Sequence, residues 1–198
     1  MSELVLPNLF RDVVGSMKVP NTVNGGFFNI NFQSGRELQI LEQLQKLNES
    51  RTMKNSKYPL VALYLPIVEK KDPLGQYSSS KIKRITFACS AQPTDTIEKR
   101  FATGGTFDTI LYPMYHEFMR CLAAAPSVLS MSIDSFVHKK MDNPGPLPVG
   151  TKGVSDFVDA VEIFDLELAF LKPIKVSGGS SGNNSNPPDP MVPATCNK

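Results

Sequence analysis

Apolar residues fall at helical spacing in three stretches of this chain and at strand spacing in five. Residues 4–17 carry Leu6, Phe10, Val13, Val14 and Met17 at intervals of three and four, which predicts a short amphipathic helix. Pro7 fits only in its first turn. Asn24-Gly25-Gly26 then predicts a break. Phe28, Ile30 and Phe32 alternate with asparagines, the pattern of a short strand. Ser34 and Glu37 have the spacing of a capping box, opening a helix with Leu38, Leu41, Leu44 and Leu47 on one side. Residues 58–68 form the most hydrophobic run, suited to a strand covered on both faces over part of its length. Pro59 and Pro66 lack the ladder donor, so they belong at its ends, at a bulge or on an edge.

A polar stretch, residues 69–80, predicts a long hairpin loop. After it Ile85, Phe87, Cys89 and Ala91 mark a strand antiparallel to the first. Residues 94–105 read as a charged excursion. Phe107, Leu111, Met114, Phe118, Cys121 or Leu122, and Ala125 mark a long amphipathic helix, stopped by Pro126. Pro113 must lie within one turn of that helix's start, or the helix kinks there. Leu129, Met131 and Ile133 alternate, and a change of phase at Phe136-Val137 predicts a bulge. Residues 142–153 are a Pro/Gly-rich loop. Val161 and Ile163 are out of phase with Phe164, Leu166, Leu168 and Phe170, so a second bulge or bend is expected in the last strand.

Hairpin-linked strands and segregated helices predict an α+β fold. Its expected form is two-layer: a mostly antiparallel sheet, two main helices on one face and a short N-terminal helix. Three parts are expected: an N-terminal helix and arm over 1–25, one domain over 26–172, and an extended Gly/Ser/Asn/Pro-rich arm over 173–198. That last tract cannot bury enough apolar surface to offset its ordering entropy. With no second domain expected beyond it, it reads as a peptide arm for neighbouring subunits.

Composition adds little to this picture. Net charge is +2 with 20% charged residues, too balanced to imply nucleic acid by itself. Cys89, Cys121 and Cys196 are an odd, widely spaced set, unlike a disulfide framework, and fit a reducing compartment. The first residues lack the basic and apolar regions of a signal peptide. No window is long and apolar enough for a membrane span.

Catalytic patterns are near misses. Gly145 and Gly150 have phosphate-loop spacing, but Thr151 precedes Lys152, and Pro146 and Pro148 remove backbone donors. His116 and His138 stand apart from metal-ligand patterns, and His116 with Cys121 is poorly spaced for a nucleophile–base pair. Asp156, Asp159, Glu162, Asp165 and Glu167 could offer paired carboxylates, but Asp165 and Glu167 alternate with apolar residues as a solvent face does. No catalytic residue, cofactor or metal is therefore expected. Two basic clusters, Lys81, Lys83 and Arg84, then Lys139 and Lys140, read first as solvated strand ends, and next as candidate contacts to a neighbouring subunit or to DNA.

Three segments carry a resemblance. They are Lys57-Tyr-Pro-Leu-Val-Ala-Leu-Tyr-Leu-Pro-Ile-Val-Glu69 with Arg84-Ile-Thr-Phe-Ala-Cys89; Phe107-Asp-Thr-Ile-Leu-Tyr-Pro-Met-Tyr-His-Glu-Phe-Met119; and Val137-His-Lys-Lys-Met-Asp-Asn-Pro-Gly145 with Phe157-Val-Asp-Ala-Val-Glu-Ile163. Over residues 26–171 the chain resembles neck and tail terminator (tail-completion) proteins of tailed phages, including crAss-like phages of Bacteroides-type hosts. The resemblance implies a non-enzymatic virion protein assembled in the host cytoplasm. It implies a homo-oligomeric ring, six- or twelve-fold, around the DNA channel at the head–tail junction. Its partners would be other neck, connector and tail proteins, with non-specific contact to packaged DNA and no membrane. The 69–80 loop and both termini are the expected contact elements. The chain departs from the family in its long C-terminal tract and extra N-terminal helix. A nucleic-acid-binding phage accessory protein is the alternative, and an enzyme of unrecognised type the third reading.

Overall fold

The computed structural model describes residues 6–22, 24–50, 56–71, 77–131, 137–141 and 157–171. In chain order the elements are α1 (Leu6–Ser16), β1 (Asn31–Gly35), α2 (Glu37–Glu49), β2 (Leu60–Tyr64), β3 (Ile67–Lys71), β4 (Tyr77–Ser90), α3 (Ile97–Phe101), a π-helical turn (Phe107–Leu111), α4 (Tyr112–Ala123), β5 (Val128–Met131), β6 (Val137–Met141) and β7 (Val158–Leu171). The expected α+β fold is present. The phosphate-loop near miss, the 142–153 loop and the 173–198 arm lie outside the described residues.

Among the described residues one seven-stranded sheet forms, in the order β1-β2-β4-β7-β5, with β3 also on β4 and β6 also on β7. Its centre is the antiparallel pair of 14-residue strands β4 and β7. Among the described strands only β1 and β2 run parallel, joined through α2. A parallel pair needs such a crossover, and the crossover helix must cover a face.

That crossover corrects one expected detail. The helices do not share one face. α1 and α4 cover the main core, where Phe10, Phe118, Leu122, Val61, Leu63, Ile85, Phe87 and Ile163 are buried together. α2 covers the opposite face, with Ile40 and Leu44 against Leu60, Ala62, Ala88 and Ala160. The buried side of α2 is thus Ile40–Leu44, while Leu38 is left exposed. The capping box also moves. Ser34 stays extended, opposite Leu63 in the β1–β2 ladder, so the helix starts after Arg36. Gln39 reaches back to accept the Arg36 N–H at 2.9 Å.

Most of the expected 69–80 loop is strand. Glu69, Lys70 and Lys71 pair with Ser80, Ser79 and Ser78. Polar side chains hide this strand from a burial-based reading, but ladders to β3 and β7 hold its backbone on both sides. Pro113 sits within the first two positions of α4, just after the π turn, whose wider ring closes from the Tyr112 N–H to the Phe107 carbonyl. A wider turn relieves the clash that a proline ring makes with the preceding turn's carbonyl, so the helix passes it without a break. Pro59 and Pro66 stand at the ends of β2, as expected.

A crease crosses the sheet. On β7 the residues facing the main core are Val161 and Ile163, then Leu166, Leu168 and Phe170. On β4 they are Ile82, then Ile85, Phe87 and Cys89. Both strands change parity at one level, where the ladder skips the position opposing Lys83 and Asp165. β2 gives way to β3 at Leu65-Pro66 beside it. On the far side, β6 ends its pairing at Phe164 and β5 begins at Leu168. The out-of-phase residues of the last strand foreshadow this bend, while its continuation across four strands comes from tertiary pairing.

Asp165 makes the turn with φ of 60°. Asp tolerates that left-handed conformation, and β-branched residues do not. Asp165→Val is expected to cost about 1–3 kcal/mol, whereas Asp165→Gly leaves stability unchanged or raises it. Lys81→Ala, which removes only the exposed pair with Asp165, serves as the control and shifts stability by under ~1 kcal/mol. Urea midpoints at constant slope read all three. An Asp165→Val protein as stable as the parent would show that the crease does not depend on this backbone.

Candidate functional site

The N-terminal basic cluster lies along the crease on β4. Lys81 pairs with Asp165 at 3.2 Å, and both are about half exposed. Arg84 lies over the Tyr64 ring, 3.6 Å from its centroid, and pairs with Glu37 of α2 at 3.3 Å. Lys83 is exposed. Because Ile82 and Ile85 face the core, Lys81, Lys83 and Arg84 all fall on the strand's other side. Lys139 and Lys140 stand in β6 opposite Glu162 and Val161. The two clusters meet β7 on different sides, since β4 and β6 flank it. Tyr64 beneath Arg84 is mostly enclosed, and burial pushes its hydroxyl above the usual tyrosine range. Arg84 is therefore fixed by a stack and an ion pair, while Lys83 is open to a partner.

A second polar node has no counterpart in the sequence reading. At the start of β7, Asp159 is fully buried, and Arg100 of α3 is 6% exposed. Arg100 Nη1 donates to Asp159 at 3.1 Å, and Nη2 donates to the Gln92 carbonyl at 3.2 Å. Thr106 donates its hydroxyl to the other Asp159 oxygen. Among the described residues, Arg100 Nε is the buried side-chain polar atom left without a hydrogen bond. Thr96 caps α3 by accepting the Lys99 N–H. Gly105 is required for close approach: a Cβ there would meet the Arg100 and Lys99 carbonyl oxygens at 2.3 and 2.4 Å. Three short segments are thus clamped on one buried carboxylate.

Beside the clamp is a cleft of about 250 Å³ lined by Asp95, Lys99, Thr103, Gly104, Thr106 and Thr109. Its groups are committed to one another. Lys99 pairs with Asp95, the Gly104 N–H donates to Asp108, and Thr109 donates to the Gly105 carbonyl. Cys89, opposite Asp159 in the ladder, is 1% exposed. Burial first, and the Asp159 charge second, push its thiol up to about 12, far from a reactive thiolate. Among the described residues no three His, Cys, Asp or Glu are grouped to hold a metal ion. No described helix is long and apolar enough to cross a membrane.

The acidic stretch of the last strand divides accordingly. Asp159 and Glu162 are buried, Glu162 accepting the Thr86 hydroxyl at 2.9 Å. Asp165 and Glu167 are only partly covered. His116 is exposed, and its ring meets Tyr115 edge-on. The Cys121 thiol, half-buried, is directed at Glu117 at 3.8 Å.

Glu117 closes a third cluster, tying α4 to the chain after α1. It receives Arg120 at 2.7 Å and the Lys18 N–H at 3.1 Å. The Arg120 hydrogen bonds, opposed in part by burial and aided by Lys18, hold its carboxyl at about 2. An unfolded glutamate titrates near ~4.3. Between those values the unfolded chain binds the extra proton. The stabilisation is therefore full above the unfolded value and lost as pH falls towards about 2. Glu117→Gln is expected to flatten the fall of stability with acid between about pH 4.5 and 2. Urea unfolding at stepped pH measures it, and an unchanged acid slope would refute the clasp.

Compared with known protein families, the chain matches no family model, and a comparison with curated proteins finds no significant match.

Proposed function

We propose that this chain is a non-enzymatic structural subunit of a phage virion. In this reading it forms a homo-oligomeric ring, as tail terminator or neck ring protein, around the DNA channel at the head–tail junction. The observation that carries the proposal is the open sheet. β1 and β3 form one margin and β5 and β6 the other, and each pairs within the described chain along one side only. Such margins are templates for another chain. Two unlike margins on one subunit suit the heterologous, head-to-tail contacts that close a ring. Support also comes from the polar nodes, whose groups are engaged in holding segments together.

Electron microscopy and native mass measurement of the purified chain test this. Closed rings of one symmetry are expected; a monomer at tens of micromolar would overturn the reading. A second reading rests on Lys81, Lys83 and Arg84 sharing one side of β4: a nucleic-acid-binding accessory protein. It requires duplex-DNA binding that weakens steeply with salt, the slope tracking the phosphates neutralised. Binding that is absent at low salt would eliminate it.

A further inference from the structure

Three exposed apolar side chains belong to the segments that meet at the end of the sheet where Arg100 anchors α3. Ile97 is 55% exposed, Phe101 41% and Phe157 42%. Ile97 and Phe101 are four residues apart, on one side of α3. Phe157 comes two residues before Asp159, and its carbonyl accepts the Ala91 N–H beside the Gln92 carbonyl that Arg100 holds. The Phe101 ring is backed by the buried Phe107 ring, stacked at 4.0 Å and 12°. Its other face is thus presented outward on a rigid support. An aromatic face held this way suits proline rings.

The chain itself contains such a ligand. Pro187-Pro188-Asp189-Pro190-Met191-Val192-Pro193 places Pro187, Pro190 and Pro193 at every third residue. Three residues make one turn of polyproline II, so these prolines share one edge of that helix. Two overlapping Pro-x-x-Pro units result, the pattern that aromatic-lined surfaces recognise.

Reach decides which copy is engaged. β7 runs roughly 40 Å from Val158, at the patch, to Leu171. Fifteen residues separate Leu171 from Pro187. For their Gly/Ser/Asn-rich composition the expected r.m.s. span is about 20 Å. Fully extended, at roughly 50 Å, the linker would just cover that distance, so docking on its own copy stretches it to about twice its r.m.s. span at a cost in chain entropy that a nearer patch on a second copy avoids. We propose that residues 187–193 of one copy dock, as polyproline II, on the Ile97, Phe101 and Phe157 patch of a second copy. This contact rests on the assembly reading above and names one of its joints.

The test uses full-length protein carrying Pro187→Ala, Pro190→Ala and Pro193→Ala as receptor, its own segment disabled. The probe is a synthetic peptide of residues 183–198, labelled at Cys196 and followed by fluorescence anisotropy. Saturable binding is expected. It should weaken at least about tenfold, or 1.4 kcal/mol, when the receptor also carries Ile97→Asp. Aspartate suits the first turn of α3, so circular dichroism should show the fold kept. A peptide with the three prolines replaced should not bind. Absence of saturable binding, equal binding by a scrambled peptide, or indifference to Ile97→Asp would each overturn the docking. Rings of the parent chain seen alongside any of those results would leave the assembly reading standing, so the two proposals fail separately.

Discussion

Arg100→Ala is expected to lower the unfolding free energy by about 3–5 kcal/mol, because it removes the guanidinium that pairs with the buried Asp159 carboxylate. The Asp159 side chain is fully enclosed in the parent protein. Domains of this size hold only about 5–15 kcal/mol in total, so the variant loses roughly a fifth or more of its stability. Arg100→Met with Asp159→Leu should be much less harmful than either single change, since no lone charge then remains. The double variant still strands the Thr106 hydroxyl, which Asp159 accepts. Guanidinium unfolding of the parent, Arg100→Met, Asp159→Leu and the double variant completes the cycle, with Arg100→Ala measured beside them. A single-variant loss under about 1 kcal/mol would mean that the pair is screened, contrary to its burial.

Phe118→Ala is the second large effect, at about 3–5 kcal/mol. Phe118 is completely buried on α4. Its ring lies 5.8 Å from Phe10 of α1 and 5.1 Å from Phe87 of β4, the latter edge-on. It therefore joins both helices to the sheet, and truncation opens a cavity at their junction. Phe118→Leu keeps most of the volume and should cost under about 1.5 kcal/mol. Thermal unfolding distinguishes them; equal losses would place the effect in the ring contacts rather than in volume.

Local periodicity makes much of this fold legible. Leu6, Phe10, Val13 and Val14 are the buried side of α1, at the spacing that predicts it. Met114, Phe118 and Leu122 do the same for α4. What periodicity lacks is the identity of the covering layer. Leu38 and Leu44 look alike in sequence, yet only Leu44 meets the sheet, because the crossover sets which side of α2 turns inward. The serines of β4 give no burial signal, since their strand is held by backbone pairing. Arg100 sits in a charged stretch whose short helix is too brief for a periodic pattern. Asp159 offered a readable sign: it shares parity with the core residues Val161 and Ile163, not with Asp165's neighbours. Its partner, 59 positions away, could come only from the tertiary structure. The basic positions were legible as residue types, but the neutralisation of Lys81 and Arg84 depends on β7 and α2.

The crease sets a rule for how this chain can change over generations. β4 and β7 switch parity at the same level and keep one register throughout their pairing. A one-residue insertion or deletion near Lys83 alone would turn the rest of that strand inside out relative to its partner. A matching event near Asp165 would restore the alignment. Length variation among descendants should therefore arrive in coupled pairs at these two positions, while lone gaps collect in the connections beyond the strand ends.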